Sequence, residues 1–485
     1  MKSKNFPIGL VAILALSAVL TVCGKDIKNI VGSKTGTTDG NNGGITGSPA
    51  VSWGVMKKGS VIVNGVTFDT AVAQIIHDNS PASDALLQDG MNVKVRGKLN
   101  TDGVTGAAEK VRSDSEVRGT ITATGVDSIT VLGQQAFVDS RTVFANMGSF
   151  PSPTTGQVVE VHGIRDPKNR LLATRIEFLK AGSGPPGDRL KGVVEAPFTG
   201  GNPPALTFTL RGLTIVTTQG TLIQPDGATV NLGDSVAVHG FPSGTTFTAG
   251  RIDREDLESA ELEPQESESF KVEGFVSSFT TVTAGFSVGA ITTRLTASTR
   301  FEGGVAADLL NNVRVEAEGQ LSGSSLTADK IKFGDSDRIV ANADAAGKAN
   351  VLGKTVVVTS LTDTSSLTGG VAGIASGQGL TIRGFANSDS SITATLILGQ
   401  NKPVDAAKII IQGVVEAFNA SAHTVTILGI VIDASGATEV GGDGQVITLD
   451  QLFAKLTVNR TIVKATGAFS AGPPPKLTAS GIEID

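Results

Sequence analysis

The chain has 485 residues, 60 of them glycine, with 20 phenylalanines, one tryptophan, no tyrosine, one cysteine and a formal net charge of −6. That length exceeds what one core serves, the glycine-, valine- and threonine-rich composition favours strands and turns, and the hydrophobic content excludes a disordered chain. Few aromatics, an acidic balance and no basic stripe argue against a stacking platform, so no nucleic acid is expected as a partner, and a lone cysteine excludes a disulfide framework.

At the N-terminus Lys2 and Lys4 precede an apolar run over residues 8–22, too short to span a bilayer comfortably. This is the layout of a secretory signal, assigned to residues 1–22. Its end, Leu20-Thr21-Val22-Cys23-Gly24, resembles a bacterial lipoprotein leader, although lipoboxes usually place Gly, Ala or Ser where Val22 stands. The resemblance implies that Cys23 is lipidated and becomes the new N-terminus, giving a partner in the membrane through that anchor. Gly24 beside the cysteine, rather than Asp, implies sorting to the outer membrane, with the protein periplasmic or surface-exposed. Residues 23–50 then read as a flexible tether, rich in Gly, Thr and Asn.

Beyond the tether the chain repeats itself. A strand ending in glycine recurs as Val93-Lys94-Val95-Arg96-Gly97, Val159-Glu160-Val161-His162-Gly163 and Val236-Ala237-Val238-His239-Gly240, with weaker copies ending at Gly319, Gly384 and Gly467. Its alternation buries one face, which points Val95 and Val161 into a core. After each glycine comes Ala-x-x-[Ile/Val], at Ala108, Ala173, Ala249, Ala328, Ala394 and Ala479. Each copy opens with its own strand, as at Gly119-Thr120-Ile121, and then makes a hairpin at a glycine such as Gly65 or Gly133. A third strand and a variable connection follow, with short helical stretches at residues 84–88 and 306–311. Three strands, a long connection and two more strands match a five-stranded OB-like Greek-key barrel. The fold class is therefore all-β, with six tandem barrels at 51–113, 114–180, 188–254, 269–335, 337–399 and 408–485. Segments rich in Gly and Pro (182–187), in acid (255–268) and around Pro403 separate copies and predict a loose row of independent beads. Such a row has a radius of gyration above about 35 Å, against about 22 Å for a compact globule.

The stretch Gly59-Ser60-Val61-Ile62-Val63-Asn64-Gly65-Val66-Thr67-Phe68-Asp69-Thr70, with the glycine-ended strand after it, resembles a bacterial family known only as a domain of unknown function. That family occurs in tandem in exported proteins and lipoproteins. The resemblance covers nearly everything after residue 50 and implies small OB-type barrels, but it brings neither catalytic residues nor a ligand.

Motifs for chemistry are absent from the sequence. The four histidines, His77, His162, His239 and His423, form no metal-spaced pair, and His162 and His239 hold equivalent positions in neighbouring copies. They read as exposed strand residues a domain apart, so no metal, no catalytic residue and no cofactor is assigned. The run from Gly347 to Thr355 has five residues between its glycines and a strand-turn-strand setting, so it reads as a hairpin rather than a phosphate loop. Acid crowding between Asp253 and Glu268 reads as a solvated, self-repelling spacer. The expected function is a non-enzymatic repeat lipoprotein of the cell envelope that binds, bridges or supports an envelope or extracellular partner. Two alternatives stand beside it. One is an envelope enzyme or accessory subunit with its site in the sixth copy, whose insertion spans 441–456; the other is oligosaccharide or oligonucleotide binding by the barrels.

Overall fold

The computed structural model describes residues 47–179, 187–442 and 445–484. The leader, Cys23, the tether up to residue 46 and linker residues 182–186 lie outside the described residues. In the first copy the strands Ser48–Lys57, Val61–Val63, Val66–Asp69, Asn92–Leu99 and Thr105–Ser113 appear in that order. The first pairs with the second and the fourth, the second with the third, and the third runs parallel to the fifth, which pairs back to the fourth. The barrel is closed in the OB order 1-2-3-5-4-1. The same circuit recurs in copies two and four, and with a broken opening strand in three and six. Copy five makes its first hairpin through isolated bridges at Ala343, Val351 and Lys354, which is where the phosphate-loop lookalike sits.

The recurrent glycine does not end its strand. Asn92–Leu99, Val158–Arg165 and Ser235–Ser243 all run on past it. Instead the register shifts by one residue between each glycine and its predecessor, in all six copies. This is a β-bulge that bends the strand enough to close so small a barrel. A Cβ at Gly97 would overlap the Ala107 carbonyl oxygen, and one at Gly163 that of Leu172. The alanine of the second signature lies directly opposite, as in Gly163 against Ala173 and Gly384 against Ala394. Three residues on, Val111, Ile176, Ile252, Ile331, Ile397 and Ile482 fill the cores, as do Val95 and Val161. Where the third strand breaks, a threonine hydroxyl donates to the alanine carbonyl: Thr142 to Ala173 at 2.8 Å, Thr299 to Ala328 at 2.7 Å and Thr362 to Ala394 at 2.7 Å.

The bead-string expectation is corrected here. Residues from Gly47 onward cluster as one compact unit, and within it the sheets do not stop at the barrel walls. Opening strands pair across copies to give three twelve-stranded sheets. Copies two and three join antiparallel through Val117↔Leu190 and Arg118↔Arg189, and copies five and six antiparallel through Ile339↔Ile411 and Val340↔Ile410. Copy one does not pair with its sequence neighbour. Its opening strand runs parallel to Ser269–Ser277 of copy four, with Val51↔Phe270 and Trp53↔Val272.

The acidic segment explains that skip, and it is no solvated spacer. It forms a helical turn, Glu255–Glu258, and a 3-10 turn, Ala260–Leu262, with Leu262 fully buried. Copy one supplies the cations that absorb its charge. Lys94 meets Glu263 at 3.1 Å, Arg96 meets Glu268 at 2.8 Å, and Lys110 pairs with Glu261. Trp53 Nε1 donates to the Leu262 carbonyl at 3.2 Å. The strap thus carries the chain from copy three across copy one and delivers it beside the Ser48–Lys57 strand.

The insertion of copy six folds into the core. The helix Leu449–Ala454 opens on a reciprocal Thr448–Gln451 capping box and buries Leu452 and Phe453.

Candidate functional site

Where copies one, two and three meet, strand geometry forces a problem of charge. Arg118 and Arg189 are direct cross-strand partners, and like charges in that position repel. Both are fully buried. The solution comes from copy one: Asp78, in the turn after strand Gln74–His77, places Oδ2 3.0 Å from Arg118 and Oδ1 3.4 Å from Arg189 Nε. Ser115 fixes that carboxylate with its backbone N–H at 2.9 Å and its hydroxyl at 3.0 Å. Glu255 of the strap bridges Arg112 at 2.9 Å and Arg189 at 3.3 Å, while Arg112 also donates to Asp114 at 2.6 Å.

Four cations, the three arginines and Lys191, therefore face Asp78, Asp114, Glu160 and Glu255. Burial by itself would raise the Asp114 carboxyl, yet Lys191, Arg112 and Arg189 together hold it well below the usual range. Glu255 is pushed up by burial and by its neighbour Asp114, against the pull of the same cations.

Beside this network the histidines overturn the exposed-strand reading. His162 is fully buried, and it shares Glu160 not with His239 but with His77 of copy one. His77 Nε2 lies 3.3 Å and His162 Nε2 3.1 Å from the same Glu160 Oε1, with the two rings 5.8 Å apart. Burial would lower the His77 pKa, but the hydrogen bond it donates to Glu160 and the charge of Asp78 raise it overall. For Glu160 the burial penalty is outweighed by the two imidazoles, which hold its carboxyl well below the ordinary value. His239 lies half-buried in its own copy, 3.0 Å from Asp253, and His423 bonds Asp450 at 2.8 Å. The sequence carried one weak signal for the cluster: Glu160 and His162 are two apart on a strand, hence on one face. Nothing in the spacing announced His77.

Over the same junction opens a cup of 380 Å³, lined by Trp53, Ile164 and Ile291 together with the cations Lys94, Arg165, Lys191 and Arg211 and the acids Asp114, Glu116 and Glu273. Glu116 at its floor accepts from Arg165 at 2.9 Å. Burial and the adjacent Arg165 guanidinium lower the Arg211 pKa. The volume is that of a small-molecule site.

A family model described as a domain of unknown function, DUF5666, matches residues 50–112, 118–177, 191–253, 273–332 and 339–397. The sixth barrel lies outside the matched residues. No curated protein matches the chain. Among solved structures, Drosophila Unr CSD456 aligns at 14% identity over 40% of this chain and 91% of its own, with a TM-score of 0.13. A multidomain protein with nucleic acid binding domains from Streptococcus pneumoniae TIGR4 aligns at 13% identity over 42% and 73%, with a TM-score of 0.10. Likeness at that level carries no argument about what this chain binds. With proteins that carry nucleic acid binding domains among the similar structures, the exclusion of nucleic acid as a partner is withdrawn, and nothing is put in its place. The physical weakness of that exclusion is plain: a net charge is a sum over the whole chain and does not say how charge is arranged on any one face.

Proposed function

The chain belongs to the DUF5666 family, and from that premise we propose that it is a non-enzymatic repeat protein of the cell envelope, a rigid multi-barrel body whose binding face is the cup over the junction. The observation that carries this reading is the consumption of charge at the junction. Asp78, Asp114, Glu160 and Glu255 each have an arginine within 4.0 Å, so these four carboxylates are committed to holding the junction together. Buried ion pairs of this kind add little net stability but fix one arrangement over others, as suits a body built to hold its parts in place. The envelope half of the reading rests on the leader and on Cys23 as the lipidated residue, exported to the outer membrane.

Fractionation tests it. Globomycin and Cys23→Ser should each block maturation and move the protein out of the membrane fraction. Normal processing and partitioning of Cys23→Ser would contradict the lipoprotein assignment.

A further inference from the structure

We propose that His77, Glu160 and His162 form a zinc site that cross-links the first two barrels. The three donors belong to the borderline nitrogen and oxygen class that zinc accepts. Ligand atoms about 2.0–2.1 Å from a tetrahedral zinc stand about 3.3 Å from one another. The two Nε2···Oε1 separations, 3.3 and 3.1 Å, are those of such an edge. All three donor atoms lie within 4.8 Å of one another, so a single ion reaches them once the two imidazole nitrogens close by at most about 1.5 Å toward the tetrahedral edge.

The surroundings are built for the same purpose. Glu160 and His162 project from one face of strand Val158–Arg165, and the strand fixes their spacing. Arg118 Nη1 lies 3.4 Å from Glu160 Oε2, which holds the carboxylate and leaves Oε1 turned to the rings. Ligating carboxylates are commonly braced from behind in this way. Among the described residues neither Nδ1 has a hydrogen-bond partner, and both Nε2 atoms engage the same Glu160 oxygen. His77 comes from the end of strand Gln74–His77, and the left-handed residues Asp78 and Asn79, at φ 45° and 59°, turn the chain immediately after it. Asp78 Oδ2 sits 3.9 Å from His77 Nε2, adding negative charge, but it is already held by Arg118 and Ser115. The fourth position therefore falls to water. With ligands from two copies, the ion ties barrel one to barrel two.

The test uses the full mature chain, stripped with chelator and titrated with zinc against a chromophoric competitor. One zinc per chain is expected, with a rise in Tm, and His77→Gln and His162→Gln should each lose at least tenfold in affinity while still melting cooperatively. No stoichiometric zinc, or unchanged affinity in both variants, would overturn the site. Cobalt(II) on the parent chain gives a readout that survives any folding defect of the variants. Intense visible bands of a four-coordinate ion are expected, and weak six-coordinate bands would overturn the assignment.

Discussion

The pair formed by copies two and three and the pair formed by copies five and six share one geometry and differ in chemistry. In both, two opening strands meet antiparallel over two or three residues. The five–six seam is sealed by Ile339↔Ile411 and Val340↔Ile410, and where a second arginine would face Arg338 it has Gln412. Gln412 satisfies itself on the carbonyls of Gly303 at 3.1 Å and Ser336 at 3.0 Å. The two–three seam sets Arg118 against Arg189 and holds only because copy one lends Asp78 and the strap lends Glu255. Both seams lean on a third copy, but they ask different things of it. Copy four offers Gln412 a neutral carbonyl and pairs Asp308 with the single arginine Arg338 at 3.6 Å, whereas the two–three seam must neutralise two facing arginines.

The largest effect should come from removing that third-party dependence. Arg189→Ala leaves Asp78 and Glu255 short of a buried partner and should cost about 3–5 kcal/mol in urea unfolding. Gln412→Ala on the other seam loses neutral hydrogen bonds, those to Gly303 and Ser336 among them, and should cost about 1–2 kcal/mol. Equal losses would break the distinction between the seams.

The bulge glycines should, by contrast, ignore it. Gly163→Ala and Gly384→Ala each drive a Cβ into a carbonyl oxygen, of Leu172 and of Thr393, inside a closed barrel. Each should cost about 3 kcal/mol, at the upper end of overpacking effects. A tolerated alanine at either site would mean that the bulge is not what closes the barrel.

Acidity should separate the two regions more gently. Burial, followed by the charges of Asp335 and Glu416, pushes the Asp337 carboxyl of copy five up to about 6, against the hydrogen bond it accepts from Ala386. A carboxyl raised in the folded state favours folding below its unfolded pKa near 3.8, and that benefit disappears as pH rises through about 6. Asp337→Asn, which can still accept from Ala386, should flatten this loss and stabilise the chain at pH 7 by at most about 3 kcal/mol. His77 is also raised, so in the metal-free chain its contribution is complete below its ordinary value of 6.5 and is lost as pH rises through its folded pKa. A pH–stability profile of the two variants, Asp337→Asn and His77→Gln, should therefore diverge from the parent in different windows. Coincident curves would contradict the separate origins.

The barrel was legible in the sequence because its rule is local. Gly97, Gly163 and their equivalents face Ala108, Ala173 and the other alanines across one hairpin, so the two signatures recur at fixed spacing. The assembly was not legible, because its rules are remote. The acids at 255–268 look self-repelling until Lys94, Arg96 and Lys110, about 150 residues earlier, are brought against them. His77 and His162 are 85 positions apart, and only the docking of barrel one on barrel two makes them neighbours. Repetition misled in one more respect. Equivalent positions such as His162 and His239 suggested equivalent surroundings, whereas one is enclosed by a neighbouring copy and the other is not.

Small-angle X-ray scattering on a monomeric chain beginning at Gly47 tests the central claim, that pairing strands, the strap and side-chain contacts such as Ser140 to Asn387 and Gln412 to Gly303 weld the barrels into one body. The expected radius of gyration lies close to the compact figure of about 22 Å. A value above about 35 Å, that of a loose row of beads, would contradict it.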